Sequence, residues 1–124
     1  MKKEYNVPIP KGYYMSWFVT TQAAFKVTVE LKDDSGKLYF SEHKECTNID
    51  PPLAIGYGTI AGNNLKISVD IPRSQQILGT PHSNDIMTDD GDIVGKEFNL
   101  CLEDSNDKDY NDVAISITAW KNKG

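Results

Sequence analysis

The chain is short of cysteine and histidine, poor in basic charge, and without a long apolar run. Among its 124 residues only Cys46, Cys101, His43 and His82 carry sulfhydryl or imidazole groups. Two thiols 55 positions apart cannot make a four-ligand zinc site and are too few for a disulfide framework. Cys101, inside Phe98-Asn99-Leu100-Cys101-Leu102, reads as a buried small hydrophobe. Thirteen basic residues face eighteen acidic ones, a net charge of −5. The basic face that a nucleic-acid binder needs is therefore missing. No apolar stretch approaches the ~20 residues of a membrane span. Met1 to Pro8 carries positive charge with no apolar segment behind it. A standard secretory signal is thus not expected. The expectation is synthesis in the cytoplasm, with release to the cell surface or exterior left open. Neither histidine neighbours a nucleophile, and no Gly-x-Ser-x-Gly or phosphate-loop pattern occurs, so catalysis is not expected.

What is present is alternation. Phe25, Val27, Val29 and Leu31 alternate with polar residues, as do Leu65, Ile67, Val69 and Ile71, and Val113, Ile115, Ile117 and Ala119 alternate with Ala114, Ser116 and Thr118. Each run is a strand with one buried and one wetter face. Shorter strand candidates are Tyr13–Val19, Lys37–Ser41, Leu53–Ile60 and Glu97–Leu102. Asp33-Asp34-Ser35-Gly36 and Gly62-Asn63-Asn64 are turn signals, and no amphipathic helix of useful length appears. The expectation is one all-β domain over residues 1–124, an antiparallel β-sandwich. Ser74 to Gly95 is the least regular stretch, and its Thr88–Asp92 cluster reads as a solvated hairpin tip. Tyr13, Tyr14, Trp17 and Phe18 form an aromatic cluster, of which alternation buries one pair and leaves the other needing a second cover.

The informative segment is Glu103-Asp104-Ser105-Asn106-Asp107-Lys108-Asp109-Tyr110-Asn111-Asp112. Five carboxylates and one lysine give it a charge of −4, and strong strand patterns fix both its ends. Like charges this close repel, and a hard divalent cation relieves the repulsion. Calcium takes six to eight oxygen ligands from carboxylates, amides and water. Asp107, Asp109 and Asn111 alternate and Asp112 follows directly, so a tight loop can turn all four toward one centre. An EF-hand is excluded, because its glycine, distal glutamate and flanking helices are missing. The loop has no His or Cys for zinc, and magnesium seldom uses so many protein oxygens.

This segment resembles the loop of the bacterial calcium-mediated fucose- and mannose-binding lectins, Glu-Asp-Gly-Thr-Asp-x-Asp-Tyr-Asn-Asp. Seven of the nine specified positions match, with Ser105 and Asn106 differing. An alternating strand, Trp120 and a terminal Gly124 follow in the family's order, and Val7–Pro10 and Tyr13–Thr28 resemble its first strands. The resemblance implies a sandwich of about nine strands, two calcium ions per chain, and a homodimer or higher homo-oligomer. It implies that Glu103, Asp107, Asp109 and Asp112 hold one ion and that Asp109, Asn111 and Asp112 hold the other. It also implies that Asp104 accepts a hydrogen bond from a fucose- or mannose-like sugar. Thr20 stands where the family places an Asn ligand, and Thr21-Gln22-Ala23 fall on its sugar-specificity loop. The family's terminal glycine carboxylate reaches a partner's calcium. Here Gly124 lies two residues further past the loop and Trp120 one residue later, which changes that residue's parity in the strand. A bulge in the last strand would restore the geometry, and without one the dimeric completion fails. Two other readings compete: a structural or host-interaction sandwich stapled by calcium, and a calcium-dependent membrane-binding module.

Overall fold

The computed structural model describes all residues from Met1 to Gly124. It contains ten strands: β1 (Lys2–Asn6), β2 (Tyr14–Thr21), β3 (Ala23–Lys32), β4 (Leu38–Cys46), β5 (Ala54–Thr59), β6 (Lys66–Asp70), β7 (Leu78–Gly79), β8 (His82–Met87), β9 (Ile93–Glu103) and β10 (Val113–Trp120). One sheet has the order β1-β6-β3-β4 and the other β5-β2-β10-β9-β7, with β8 also paired to β9. All pairings are antiparallel. The all-β sandwich is as expected, with one strand more than the nine expected.

The alternating residues line the space between the sheets. Val27, Val29 and Leu31 of β3 and Ile67 and Val69 of β6 face Met15 and Val19 of β2, Leu100 of β9, and Ile115 and Ile117 of β10; all are buried. Burying one such side chain contributes roughly 1.5–3 kcal/mol, and this repeated contribution fixes the register, since a one-residue slip would turn a whole face outward. Trp17 stacks on Phe40 at 5.5 Å between ring centres and meets Tyr39 edge-on. Its indole lies so close over Gly56 that a Cβ there would sit 2.6 Å from Cζ2, so that edge of β5 admits only glycine.

Two strands carry no such apolar signal. β1 alternates only charged and amide side chains with Lys3 and Tyr5, and β8, His82–Met87, is almost wholly exposed. Both are set by pairing, β1 with β6 and β8 with β9, and not by an apolar face of their own. Thr88–Asp92 closes the β8–β9 hairpin, with the Thr88 N–H donating to Asp92 O at 2.8 Å and Gly91 at φ 91°, in keeping with a hairpin tip. Cys101 corrects its expectation. It lies on the outer, half-buried side of β9, because Leu100 and Leu102 take the inward positions. Cys46 is on β4 in the opposite sheet, and both thiols are free.

β10 keeps unbroken one-to-one register with both β2 and β9 from Val113 to Trp120. It contains no bulge, so Trp120 points outward, against Gly95 and 43% exposed.

Candidate functional site: the acidic loop between β9 and β10

Residues 103–112 join two neighbouring central strands at one end of the sandwich. Glu103 ends β9, and Asp112 immediately precedes β10. Both are buried, because the strands carry them into the layer below the loop. Glu103 organises the residues after it. Its Oε1 accepts the Ser105 N–H at 3.0 Å, and its Oε2 accepts the N–H groups of Asp109 at 3.0 Å and Tyr110 at 3.4 Å. The Asp104 N–H donates to Asp112 Oδ2 at 2.8 Å. Lys108 and Tyr110 both adopt left-handed backbone, φ 60° and 54°. Such residues cost about 1 kcal/mol each outside glycine, and here they flank Asp109, one of the cluster's carboxylates. The result is convergence. One carboxylate oxygen each from Glu103, Asp107, Asp109 and Asp112 lies within 4.8 Å of all the others.

The electrostatics stem from that crowding. Burial pushes the Asp112 carboxyl up to about 8, and hydrogen bonding with Glu103 adds to the rise. Sharing a proton with Glu103 lifts Asp107 to about 6, with burial and the charge of Asp109 acting the same way. For Glu103, burial acts upward, but the hydrogen bonds from Asp112, Asp107 and the backbone outweigh it and hold the group well below its usual range. Four carboxylates thus share too few protein donors to ionise together at neutral pH.

A hard cation fits this donor set. Oxygens on opposite sides of a calcium ion lie about 4.6–5.2 Å apart, twice the usual Ca–O distance, which accommodates the 4.8 Å span. Two of the ligands are buried and two exposed, so a cation would be gripped from below and open to solvent above.

The remaining sequence candidates gather beside this cluster, with exceptions. The β2–β3 turn is held to the loop by the Gln22 N–H, which donates to Asp112 O at 3.1 Å. Thr21 pairs with Val113 and Thr20 with Ala114. Thr21 is 1% exposed and its Oγ1 has no partner, leaving one orphaned hydroxyl one strand from Asp112. Ala23 is also buried. Of the three residues at the position of the resemblance's sugar-specificity loop, Thr21 ends β2, Ala23 begins β3, and half-buried Gln22 stands between them. Asn111 is half-buried beside Asp112, and Asp104 is buried with its carbonyl accepting from Ser74 Oγ at 2.6 Å. Gly124 is exposed and lies past the far end of β10. An eight-residue strand spans about 25 Å at ~3.3 Å per residue, so this tail cannot reach its own chain's cluster.

The fold is that of bacterial sugar-binding lectins. No protein-family model and no curated protein matches the chain; solved structures do. The C-terminal domain of the BC2L-C lectin from Burkholderia cenocepacia superposes with a TM-score of 0.70 at 19% identity, covering 95% of this chain and 97% of that one. The Chromobacterium violaceum lectin CV2L, solved with α-methyl-fucoside, gives 0.66 at 16% identity over 93% of both chains. The Ralstonia solanacearum high-affinity mannose-binding lectin gives 0.66 at 17% identity, again over 93% of both.

Proposed function

We propose that this protein is a calcium-dependent carbohydrate-binding protein, a lectin without enzymatic activity. The observation that carries the proposal is the convergence of four carboxylate oxygens within 4.8 Å on a fold shared with sugar-binding proteins. Glu103, Asp107, Asp109 and Asp112 would hold one calcium ion. Asp109, Asn111 and Asp112, with an oxygen from Thr20 or Thr21, would hold a second. Bound calcium supplies open coordination positions for vicinal sugar hydroxyls. The chain's own part is to position and select. Asp104 would accept a hydrogen bond from a sugar hydroxyl, and the Gln22 side chain would set the width of the rim. The ligand class is a fucose- or mannose-like monosaccharide, carried over from the lectins of the same fold. With β10 unbroken, Gly124 is not in the proposed ligand set.

The proposed assembly is a homodimer through the outer face of the larger sheet. Alternation buries Trp17 and leaves Phe18 47% exposed, beside Ile55 at 71% and Tyr57 at 73%. These residues border a cleft of about 570 Å3 that Ser16 and Ser116 also line. Aromatic surface of this kind is characteristic of protein–protein interfaces, and a second copy would supply the missing cover. Tyr57→Lys should yield monomers of 13.9 kDa by light scattering, where the parent chain gives twice that mass.

A second reading keeps calcium as a staple only. Its support is that Glu103 and Asp112 already organise the loop through backbone N–H groups. Calorimetric titration of calcium into chelator-treated protein separates the two. Two ions per chain, with methyl fucoside or methyl mannoside binding lost on chelation, support the lectin. One ion without sugar binding supports the staple. No calcium binding overturns both.

A further inference from the structure

The same end of the sandwich carries a second concavity that the calcium cluster does not use. It has a volume of about 500 Å3 and is lined mainly by Phe25, Arg73, Gln75, Gln76, Asp104 and Asn106. It shares a wall with the cluster. Asp104 is fastened to Asp112 through its N–H, and Ser105 to Glu103 through its own. The opposite wall is the segment after β6, tied across by Gln76 Nε2, which donates to Ser105 O at 2.9 Å and Asn106 Oδ1 at 2.8 Å. Ser74 Oγ adds a bond to Asp104 O. The concavity is therefore built by hydrogen bonds that also hold the calcium-binding loop.

Its one cation is uncommitted. Arg73 makes no hydrogen bond or ion pair within the chain, whose single salt bridge is Lys96–Asp85. The guanidinium instead lies over the Phe25 ring, 5.0 Å from its centre. Stacking on an aromatic face holds the planar group in place while leaving its in-plane donors free. A guanidinium so presented is matched to a carboxylate or another oxyanion, which can accept two parallel N–H bonds. The amides of Gln75 and Asn106 suit the hydroxyls around it. Asp104 is the only acid lining the concavity.

We infer that this concavity is an extended subsite for the sugar residue next to the calcium-held one, and that Arg73 selects a residue bearing an anionic group. The inference rests on the lectin reading and adds a class of glycan to it. A two-point ligand gains over a monosaccharide only if both subsites are reached at once.

The test is titration of calcium-loaded protein with methyl mannoside and with three disaccharides, in which mannose carries a linked glucuronic acid, a sulfated glucose or a plain glucose. The expected result is that one or both anionic disaccharides bind about ten-fold more tightly than the neutral one, as a charge-assisted fork warrants. Arg73→Gln should erase that preference, and Arg73→Lys should restore part of it. Preference for glucuronate alone or sulfate alone supports the inference and names the group. Equal binding of all three disaccharides, beside intact methyl mannoside binding, overturns the subsite while leaving the lectin reading standing. Absence of all sugar binding, methyl fucoside included, overturns both. A preference that survives Arg73→Gln removes Arg73 from the role and overturns the inference as stated.

Discussion

Two turns of this sandwich bury aspartate, and they solve the problem in opposite ways. In the β3–β4 turn, Asp33 is the one buried acid, beside exposed Asp34, and is amply served. It accepts the N–H groups of Ser35 at 2.9 Å and Gly62 at 2.8 Å, and hydroxyl bonds from Ser35 and Tyr39. Burial acts to raise its pKa, but these donors win and hold it at about 2. Tyr39, half-buried beside it, is pushed up to about 12 by burial and by the carboxylate it serves. The β9–β10 loop instead crowds four carboxylates around a few backbone N–H groups, and two of them rise. The first turn is electrically complete within the chain. The second is short of donors, and a proton or a cation taken from solvent would complete it. Burial of acid is therefore a poor indicator of a site, and the ratio of acceptors to donors a better one.

The largest expected effect breaks the second turn. Asp109→Ala should lower calcium affinity at least 100-fold, read by calorimetry, since a ligand shared by both proposed ions is lost. Unchanged affinity would sink the ligand assignment. Next is Asp33→Ala, which should cost about 1–3 kcal/mol in urea unfolding by leaving buried donors unpaired, with calcium stoichiometry untouched. A change in stoichiometry there would mean that the two turns are coupled.

The comparison sharpens with pH. Asp112 and Asp107 have folded-state values above their ordinary ones. Their stabilising contribution is therefore full below about pH 4 and is lost as pH rises through about 6 and then about 8. Asp33 has the opposite sign: its contribution is present above about pH 4 and lost only as pH falls toward 2. Chelated protein should consequently melt higher at pH 5 than at pH 8. Calcium should reverse that order, because protons compete for its ligands. Equal melting temperatures for chelated protein at the two pH values would contradict the crowding described for the loop. A smaller effect concerns Lys44, whose ammonium donates to the carbonyls of Asn48 at 2.5 Å and Pro51 at 2.7 Å, and more weakly to Thr21 and Ile49. Lys44→Met should cost about 1 kcal/mol, since the site is partly solvated, and increase hydrogen exchange across residues 47–52. The smallest effect is none: removal of Gly124 should leave calcium stoichiometry unchanged.

Much of this was legible in the sequence, and the remainder was not for definite reasons. Strands with an apolar face announce themselves, as Val27–Leu31 and Val113–Ala119 do, because burial of that face is what forms them. β1 and β8 are made by the neighbours that accept them, so their own residues carry little signal. The acidic loop was readable because five carboxylates in ten residues demand an explanation. The left-handed turns at Lys108 and Tyr110 that converge them carry no glycine to mark them. Asp33 read as an ordinary turn residue, since its partners Gly62 and Tyr39 are distant in sequence. Gln76 lay in the least patterned stretch and Arg73 just before it, and only the hydrogen bonds of Gln76 to Ser105 and Asn106 give them a place. The chain's single arginine, with two glutamines close behind it, was the available signal.

β10 has a mechanical consequence. It lies between β2 and β9 and is paired to both along its whole length, with the acidic loop at one end and the chain's tail at the other. Antiparallel hydrogen bonds run perpendicular to the strands. A pull on the tail against something held by Glu103 at the end of β9, or by the β2–β3 turn, therefore loads a ladder of β10 in shear. Many bonds resist together, and none can be peeled singly. The strand that positions the site is in this sense also its tether.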